Sequence, residues 1–433
     1  MIYDLGFKNS IAILILASCF LLPATILAAT NSVLSQQIET VRRERQALLE
    51  EQQRLQAELE AVTQESQNLG SAVKSLDTTK KKISTDIKVT QSKISAADLN
   101  IKVLENNVTA AESDIQTHKK AIVRSIQAIF EYDQRPLLLD LLAATNFSNA
   151  WRDRSQLEGL SVKLDEEMQS LQETKTILSF EKVKKEKVKL EAVSLQRELS
   201  GQKVVVEESQ KAKERLLAET KSKEAEYQKM LAENLAKQRE FEEDLFRLES
   251  GLDISLDSTL IPEARPGILS WPLDNVFVTQ RFGRTSGAAR LYSSGSHNGV
   301  DFRATQGTPV KAMLGGVVEG TGNTDQYKGC YSYGGWVLIK HPNGLSSVYA
   351  HLSASLVTKG QGIATGDIIG YSGGTPRVFG SGYSTGPHLH VGLFASQGVS
   401  IRQFVESRGC KLAFVPIADV KAYLDPLAYL PTL

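Results

Sequence analysis

From Leu34 to Ile122 apolar residues recur at alternating steps of four and three, and such a chain must bury a narrow seam along a helix. The seam runs through Leu34, Ile38, Val41, Leu48, Leu55, Leu59, Val62, Leu69, Val73, Leu76, Ile83, Ile87, Ile94, Ile101, Leu104, Val108, Ile115 and Ile122, with polar residues at a few intervening positions. An average period of 3.5 held over about a dozen heptads exceeds what a globular helix shows and predicts a left-handed coiled coil. As one helix the stretch would be on the order of 130 Å long. Gly70 is its weak point, and His118 falls on the seam as a polar seam residue, not a ligand.

A second, more polar run follows at Leu195, Leu199, Val206, Leu216, Tyr227 and Met230. Between the two lies Arg135-Pro136, where proline disrupts a continuing helix, then the apolar cluster Leu137 to Leu142 with Phe147 and Trp151. The simplest arrangement is an intramolecular antiparallel hairpin with this apolar insert, residues 135–155, at its turn. A parallel homodimer satisfies the same pattern, because heptads name the seam and not the partner.

Composition changes near residue 250. Glu, Gln, Lys, Ser and Leu dominate before it; most Gly, Pro, Trp and Tyr come after. The expected organisation is a signal segment at 1–29, a helical hairpin at 30–250, a linker at 251–269 containing Pro262, Pro266 and Gly267, and a compact domain at 270–433. Fifty basic and fifty acidic side chains cancel, which gives no whole-chain electrostatic case for a nucleic-acid partner.

Lys8 followed by an apolar run from Ile11 to Ala29, ending in small residues, has the form of an export signal cleaved after Ala28 or Ala29. An uncleaved anchor is the main alternative, and Cys19 within Leu16-Ala17-Ser18-Cys19 also fits a lipidation box. Export to the periplasm or cell surface places Cys330 and Cys410 where thiols oxidise, so a disulfide is expected, two unrelated buried thiols being the alternative.

Beyond Leu269 the chain shows short β-branched and aromatic runs punctuated by Gly and Pro, which predicts an antiparallel β-domain. Pro342-Asn343-Gly344 between two such runs marks a hairpin. Five of the six histidines lie here. His388 and His390 sit two apart on a strand, so both reach one face while Leu389 enters the core. The same alternation puts Ser347, Tyr349 and His351 on one side of their strand, with His351 pointing away from the expected core. His341 precedes the turn and is expected in solvent. Together with His297-x-x-x-Asp301 these residues meet the needs of a hydrolytic zinc centre: three N or O ligands with an open position for water, and further imidazoles to move a proton and steady an oxyanion.

Residues 270–433 resemble the LytM or lysostaphin-type zinc endopeptidase domain in Trp271-Pro272, Phe282-Gly283, the H-x-x-x-D segment, Tyr349-Ala350-His351-Leu352, Gly386-Pro387-His388-Leu389-His390 and Asp425-Pro426-Leu427. The resemblance implies that His297, Asp301 and His390 bind Zn2+, that His351 and His388 act on the water and the oxyanion, and that the substrate is the peptide of bacterial peptidoglycan. The helices before it resemble, more loosely, those of EnvC-type cell-division factors, which implies a membrane complex of the FtsEX kind as partner. Such factors have lost metal ligands and activate amidases; here the ligand set is complete. Two functions follow as expectations: a zinc-dependent endopeptidase that the helices restrain until signalled, or a non-catalytic coiled-coil regulator that activates cell-wall amidases. A secreted bacteriolysin is a third possibility, disfavoured because no separate wall-targeting domain follows the peptidase. Segments 321–335 and 373–386, rich in Gly, Ser and Tyr, are candidate walls of a substrate groove or simply long hairpin loops.

Overall fold

The computed structural model describes residues 22–64, 68–133, 147–252, 254–285, 288, 295–330, 332–376, 378–382, 384 and 386–433. The proposed lipidation cysteine Cys19 and the apolar cluster at 137–142 lie outside them, as do the side chains of Phe147 and Trp151. Among the described residues no helix is long and apolar enough to cross a membrane.

The long seam is carried by two helices, not one. Helix α1 spans Leu22–Gln64 and α2 spans Leu69–Asp133. They run antiparallel: Ser92 Oγ bonds the Val41 carbonyl and Gln52 Nε2 bonds Asp86 Oδ1. The break falls beside Gly70, where the Asn68 side chain accepts the Ser71 N–H at 2.8 Å and caps the new helix. A continuous period therefore did not require a continuous helix, since the same seam serves a chain that turns back on itself. Helix α3, Phe147–Thr220, runs antiparallel to α2, as the expected hairpin requires. Lys182–Glu112, Lys185–Glu105 and Lys213–Asp77 ion pairs and the His118–Glu167 contact at 2.6 Å fix that register. Helix α4, Glu224–Ser250, follows a turn at Lys221 and Ser222, both of positive φ.

By contact density the chain divides into two units, residues 1–45 with 92–195, and residues 46–91 with 196–433. The described residues of the first are all helical. The second joins helical segments to an antiparallel β-domain.

That domain is built on an eight-stranded sheet. Its order is β1 (Val278–Gln280), β2 (Val300–Arg303), β10 (His388–Ala395), β6 (Leu345–Ala350), β5 (Gly335–Lys340), β4 (Gly316–Asn323) and β8 (Gly362–Ile363), with β13 (Tyr423–Leu424) also paired to β10. A second sheet contains β3 (Pro309–Lys311), β9 (Ile368–Ser372) and β7 (Leu352–Ser355), and a third contains β11 (Val399–Gln403) and β12 (Phe414–Ala418). Strands β5 and β6 form the hairpin expected around Pro342-Asn343-Gly344.

Both faces of the main sheet are buried, so alternation sorts residues between two cores and not between core and water. Val337, Ile339, Tyr349, Leu389 and Val391 face one core, shared with Val310 and Ile369. Trp336, Leu338, Val348, Ala350 and Phe394 face the other, which is completed by β11–β12 and by Phe241 and Leu245 of α4. The Cys330–Cys410 disulfide lies in this second core. His341, expected in solvent, is buried because its ring bridges the Gly315 carbonyl (3.1 Å) and Ser347 Oγ (2.8 Å) beneath the hairpin.

Candidate metal centre and active site

Strand pairing brings the first three site residues together. In the register β2–β10–β6, His390 lies opposite both Asp301 and Ala350, and directly opposed residues point to the same face. His297 joins them through the backbone bridge Gly283–His297 at the head of β2. His390 Nδ1 lies 2.9 Å from Asp301 Oδ1 and 3.2 Å from His297 Nε2, which is 3.4 Å from the same carboxylate oxygen. Gly299 permits this closeness, since a Cβ there would stand 2.7 Å from the His390 ring.

The donor set fits a zinc ion. His297 Nδ1 lies 3.2 Å from the Arg281 carbonyl and can only donate there, which leaves a lone pair on Nε2 facing His390 and Asp301. Two imidazole nitrogens and a carboxylate oxygen, all buried and within 4.8 Å of one another, then converge on one point. Burial opposes ionisation of Asp301, yet His297 and His388 hold its carboxyl well below the usual range. Burial also pulls His297 down, but the Asp301 charge outweighs it and leaves the imidazole raised; His390 is lowered by burial.

His351 reaches the site by breaking the alternation of its strand. Its parity is that of Tyr349, which faces the opposite core from His390. At His351, between β6 and β7, the backbone takes φ +60°, a left-handed conformation uncommon for a residue with a side chain. The kink carries the ring across, so that it is buried and stands 4.6 Å from the His388 ring and 6.2 Å from the His390 ring. Alternation had grouped it with Tyr349, which instead lies in the core opposite the site. Its Nδ1–H donates to the Ser381 carbonyl at 3.0 Å, and burial with the neighbouring His388 and His390 keeps it well below the ordinary histidine range. His388 likewise donates Nδ1–H to the Gly386 carbonyl at 2.9 Å, with its Nε2 4.0 Å from Asp301. The segments 321–335 and 373–386 supply Ser332, Tyr333, Ser381 and Ser384 to this neighbourhood.

Site motifs in the sequence did not mark the residues that cover the site. The cavity over His297, Asp301, His351, His388 and His390 is also lined by Gln238, Phe241 and Glu242 of α4, and encloses about 20 Å3. That is room for a water and not for a peptide. Burial lifts the Glu242 carboxyl to about 7. Helix α4 is fastened there by Arg408, whose N–H and Nε bond the buried Asp244 carboxylate at 2.8 and 2.9 Å and whose Nη2 reaches Glu243 at 3.1 Å. Glu249 adds bonds from Ala418 N–H and the Tyr423 hydroxyl at 3.1 and 2.7 Å. The helical hairpin also meets the segment that carries Ser381: Val378 packs among Leu69, Leu76, Leu216, Tyr227 and Met230. The only sequence hint was the continuation of the apolar stripe past Met230 to Phe241, Leu245 and Leu248.

Residues 295–402 match the model of Peptidase family M23. Over 94 residues the chain is 45% identical to the DD-carboxypeptidase/endopeptidase Mpg of Neisseria meningitidis serogroup B, covering 22% of this chain and 19% of the relative. Over 97 residues it is 46% identical to the peptidoglycan DD-endopeptidase ShyA of Vibrio cholerae, covering 22% and 20%. The catalytic domain of lysostaphin from Staphylococcus simulans is 28% identical with a TM-score of 0.25, covering 35% of this chain and 90% of that one. The chain thus spans about a fifth of the length of the curated relatives it matches. With the His297–Asp301–His390 cluster intact, the β-domain is an M23 peptidase domain of the LytM/lysostaphin type, preceded by long helices.

Proposed function

We propose that the protein is a zinc-dependent endopeptidase that hydrolyses peptide cross-links of bacterial peptidoglycan and that its own helix α4 holds closed. The observation that carries this reading is the convergence of His297, Asp301 and His390 on one buried point with two further imidazoles facing it. His297, Asp301 and His390 would hold a zinc ion, which would supply Lewis acidity for the scissile carbonyl and for an attacking water. His351, kept neutral by burial and with Nδ1–H committed to Ser381, presents Nε2 as a proton acceptor for the attacking water. His388, more exposed and oriented by Gly386 and Ser384, is placed to donate to the developing oxyanion or the leaving amine. A regulator that only binds has no chemical need for this complete set, which favours the enzyme over an amidase activator.

The names of the relatives support peptidoglycan as substrate, and the buried disulfide supports an exported protein. The finer expectation places the enzyme in wall remodelling during cell division, docked on a membrane complex of the FtsEX kind through residues 135–155. Its decisive segment lies largely outside the described residues. Deleting 135–155 should abolish membrane-partner localisation while leaving metal content unchanged; unaltered localisation would discard that partner.

The test of the main reading digests purified sacculi with residues 267–433 and with the full chain, with and without a chelator, and identifies new termini by mass spectrometry. New peptide termini, intact glycan strands, loss of cleavage on chelation and slower cutting by the full chain are expected. Glycan cleavage or chelator-resistant cutting would sink the chemistry; equal rates would sink the closure.

A further inference from the structure

The His351 ring rests on a carbonyl of a short strap that a carboxylate outside the cavity lining contacts. His351 donates Nδ1–H to the carbonyl of Ser381, the middle residue of a short strap, Gly380 to Gly382. Both glycines have positive φ, +95° and +60°, and a Cβ on either would come within 2.1 Å of a backbone oxygen, of Leu352 or of Ser332. Side chains at those two positions therefore cannot pack the strap in place.

Asp325 anchors it instead. Its Oδ2 accepts the N–H of Gly380 at 2.8 Å and of Gly382 at 3.2 Å, gripping the strap on both sides of Ser381. Asp325 is itself set by a short 3-10 turn, Thr324–Gln326, capped by the Asn323 side chain. Reciprocal bonds between Thr324 and Gly334 tie that turn to the start of β5. The arrangement is costly. Burial lifts the Asp325 carboxyl to about 6 against the opposing pull of the two glycine N–H groups and Arg215, and among the described residues its Oδ1 has no hydrogen-bond partner. Burying a half-satisfied carboxylate destabilises a fold, so its contribution is to be sought in what it holds.

We propose that Asp325 is a positioning residue for His351: by gripping Gly380 and Gly382 it sets the Ser381 carbonyl, which fixes the tautomer and direction of the imidazole. The proposal rests on the reading that His351 handles the proton of the attacking water. The same logic governs carboxylates and carbonyls behind metal-bound histidines, where loss of the outer partner costs about 10–100-fold.

The experiment labels the full-length, zinc-loaded chain with 15N-histidine and follows the Nδ1 protons of His351 and His341, both buried donors to carbonyls. In Asp325→Ala the His351 proton should exchange at least about tenfold faster or vanish, with the His341 signal and metal content unchanged. Asp325→Asn, which keeps one acceptor oxygen, should lie between. An unaltered His351 signal in Asp325→Ala overturns the proposal. If Asp325→Ala also loses the His341 signal it has failed to fold, and Asp325→Asn decides: a change confined to His351 supports the grip, and none overturns it. Turnover on sacculi adds a second readout, with kcat down about 10–100-fold and KM within about twofold. A KM rise at constant kcat would also overturn it. A wild-type chain that cuts no sacculi under any condition would sink the peptidase reading, whereas the histidine signals judge the grip regardless.

Discussion

Zinc retention and turnover should separate at the level of single side chains. His297→Ala, Asp301→Ala and His390→Ala each remove one of three anchors and should lose metal together with activity, because two protein ligands hold zinc poorly. His351→Ala and His388→Ala should retain metal and lose turnover by about a hundredfold or more, the usual worth of a positioned acid or base. Metal analysis of the five purified variants checks the division; equal zinc in all of them would mean that the inner ligands are wrongly assigned. Spacing showed that His388 and His390 share a face, and the pairing of β10 with β2 and β6 confirms it. It brought His351 to the same site but wrongly grouped it with Tyr349, which lies in the opposite core; φ +60° at His351 breaks that alternation.

Closure belongs to a whole element, α4, and the contacts that seat it differ in kind. Arg408 reaches Asp244 and Glu243, and charge-assisted bonds to a buried carboxylate are stronger than neutral ones, though solvent screens them where the cation is half exposed, as Arg408 is. Arg408→Ala should therefore raise sacculus cleavage by the full chain roughly tenfold or more, measured against the same substitution in residues 267–433. Glu249 adds a pH dependence. Burial, opposed by its bonds from Tyr423 and Ala418, raises its carboxyl from the ordinary 4.5 to about 8, with Glu242 and Asp419 adding repulsion. The seated helix then holds a proton that a released helix sheds. Closure is strongest below pH about 4.5, weakens as pH rises and is weakest above about 8. Cleavage by the full chain, relative to residues 267–433, should climb between pH 6 and 8.5. Glu249→Gln should lessen that climb without abolishing it, since Glu242, raised to about 7, acts in the same direction. A slope unchanged by the substitution would remove Glu249 from the account.

Across the molecule, the Cys330–Cys410 disulfide joins residues 80 apart in sequence, and its sulfurs share a core with Phe241 of α4. Closing such a loop stabilises by about 4–5 kcal/mol in the chain-entropy model, an upper figure. The double variant Cys330→Ala/Cys410→Ala should unfold at markedly lower denaturant concentration than the oxidised protein. An unchanged midpoint would reduce the bridge to a passenger. Because the bridged loop carries Arg408, the double variant is also expected to close less tightly over the zinc site.

Local rules were enough for much of this protein. A 3.5-residue period specifies paired helices, and two-residue alternation with Gly and Pro punctuation specifies a β-domain, because both depend on neighbours in sequence. Histidine and aspartate at ligand spacing named the metal centre for a similar reason: strand geometry alone brings His388 and His390 to one face. What the sequence left undecided depends on residues far apart in the chain. The seam could not say whether α1 and α2 were one helix or two, since a helix turned back on itself buries the same stripe. Alternation could not distinguish a sheet with one buried face from a sheet with two, and a place beside a turn could not show that Gly315 and Ser347 bury His341. The seating of Gln238, Phe241 and Glu242 over the site histidines, and the grip of Asp325 on a strap 55 residues away, arise only once the tertiary fold is closed. Their partners have no sequence proximity, and apolar or acidic residues on an amphipathic helix read the same whether they face a neighbouring helix or close a peptidase.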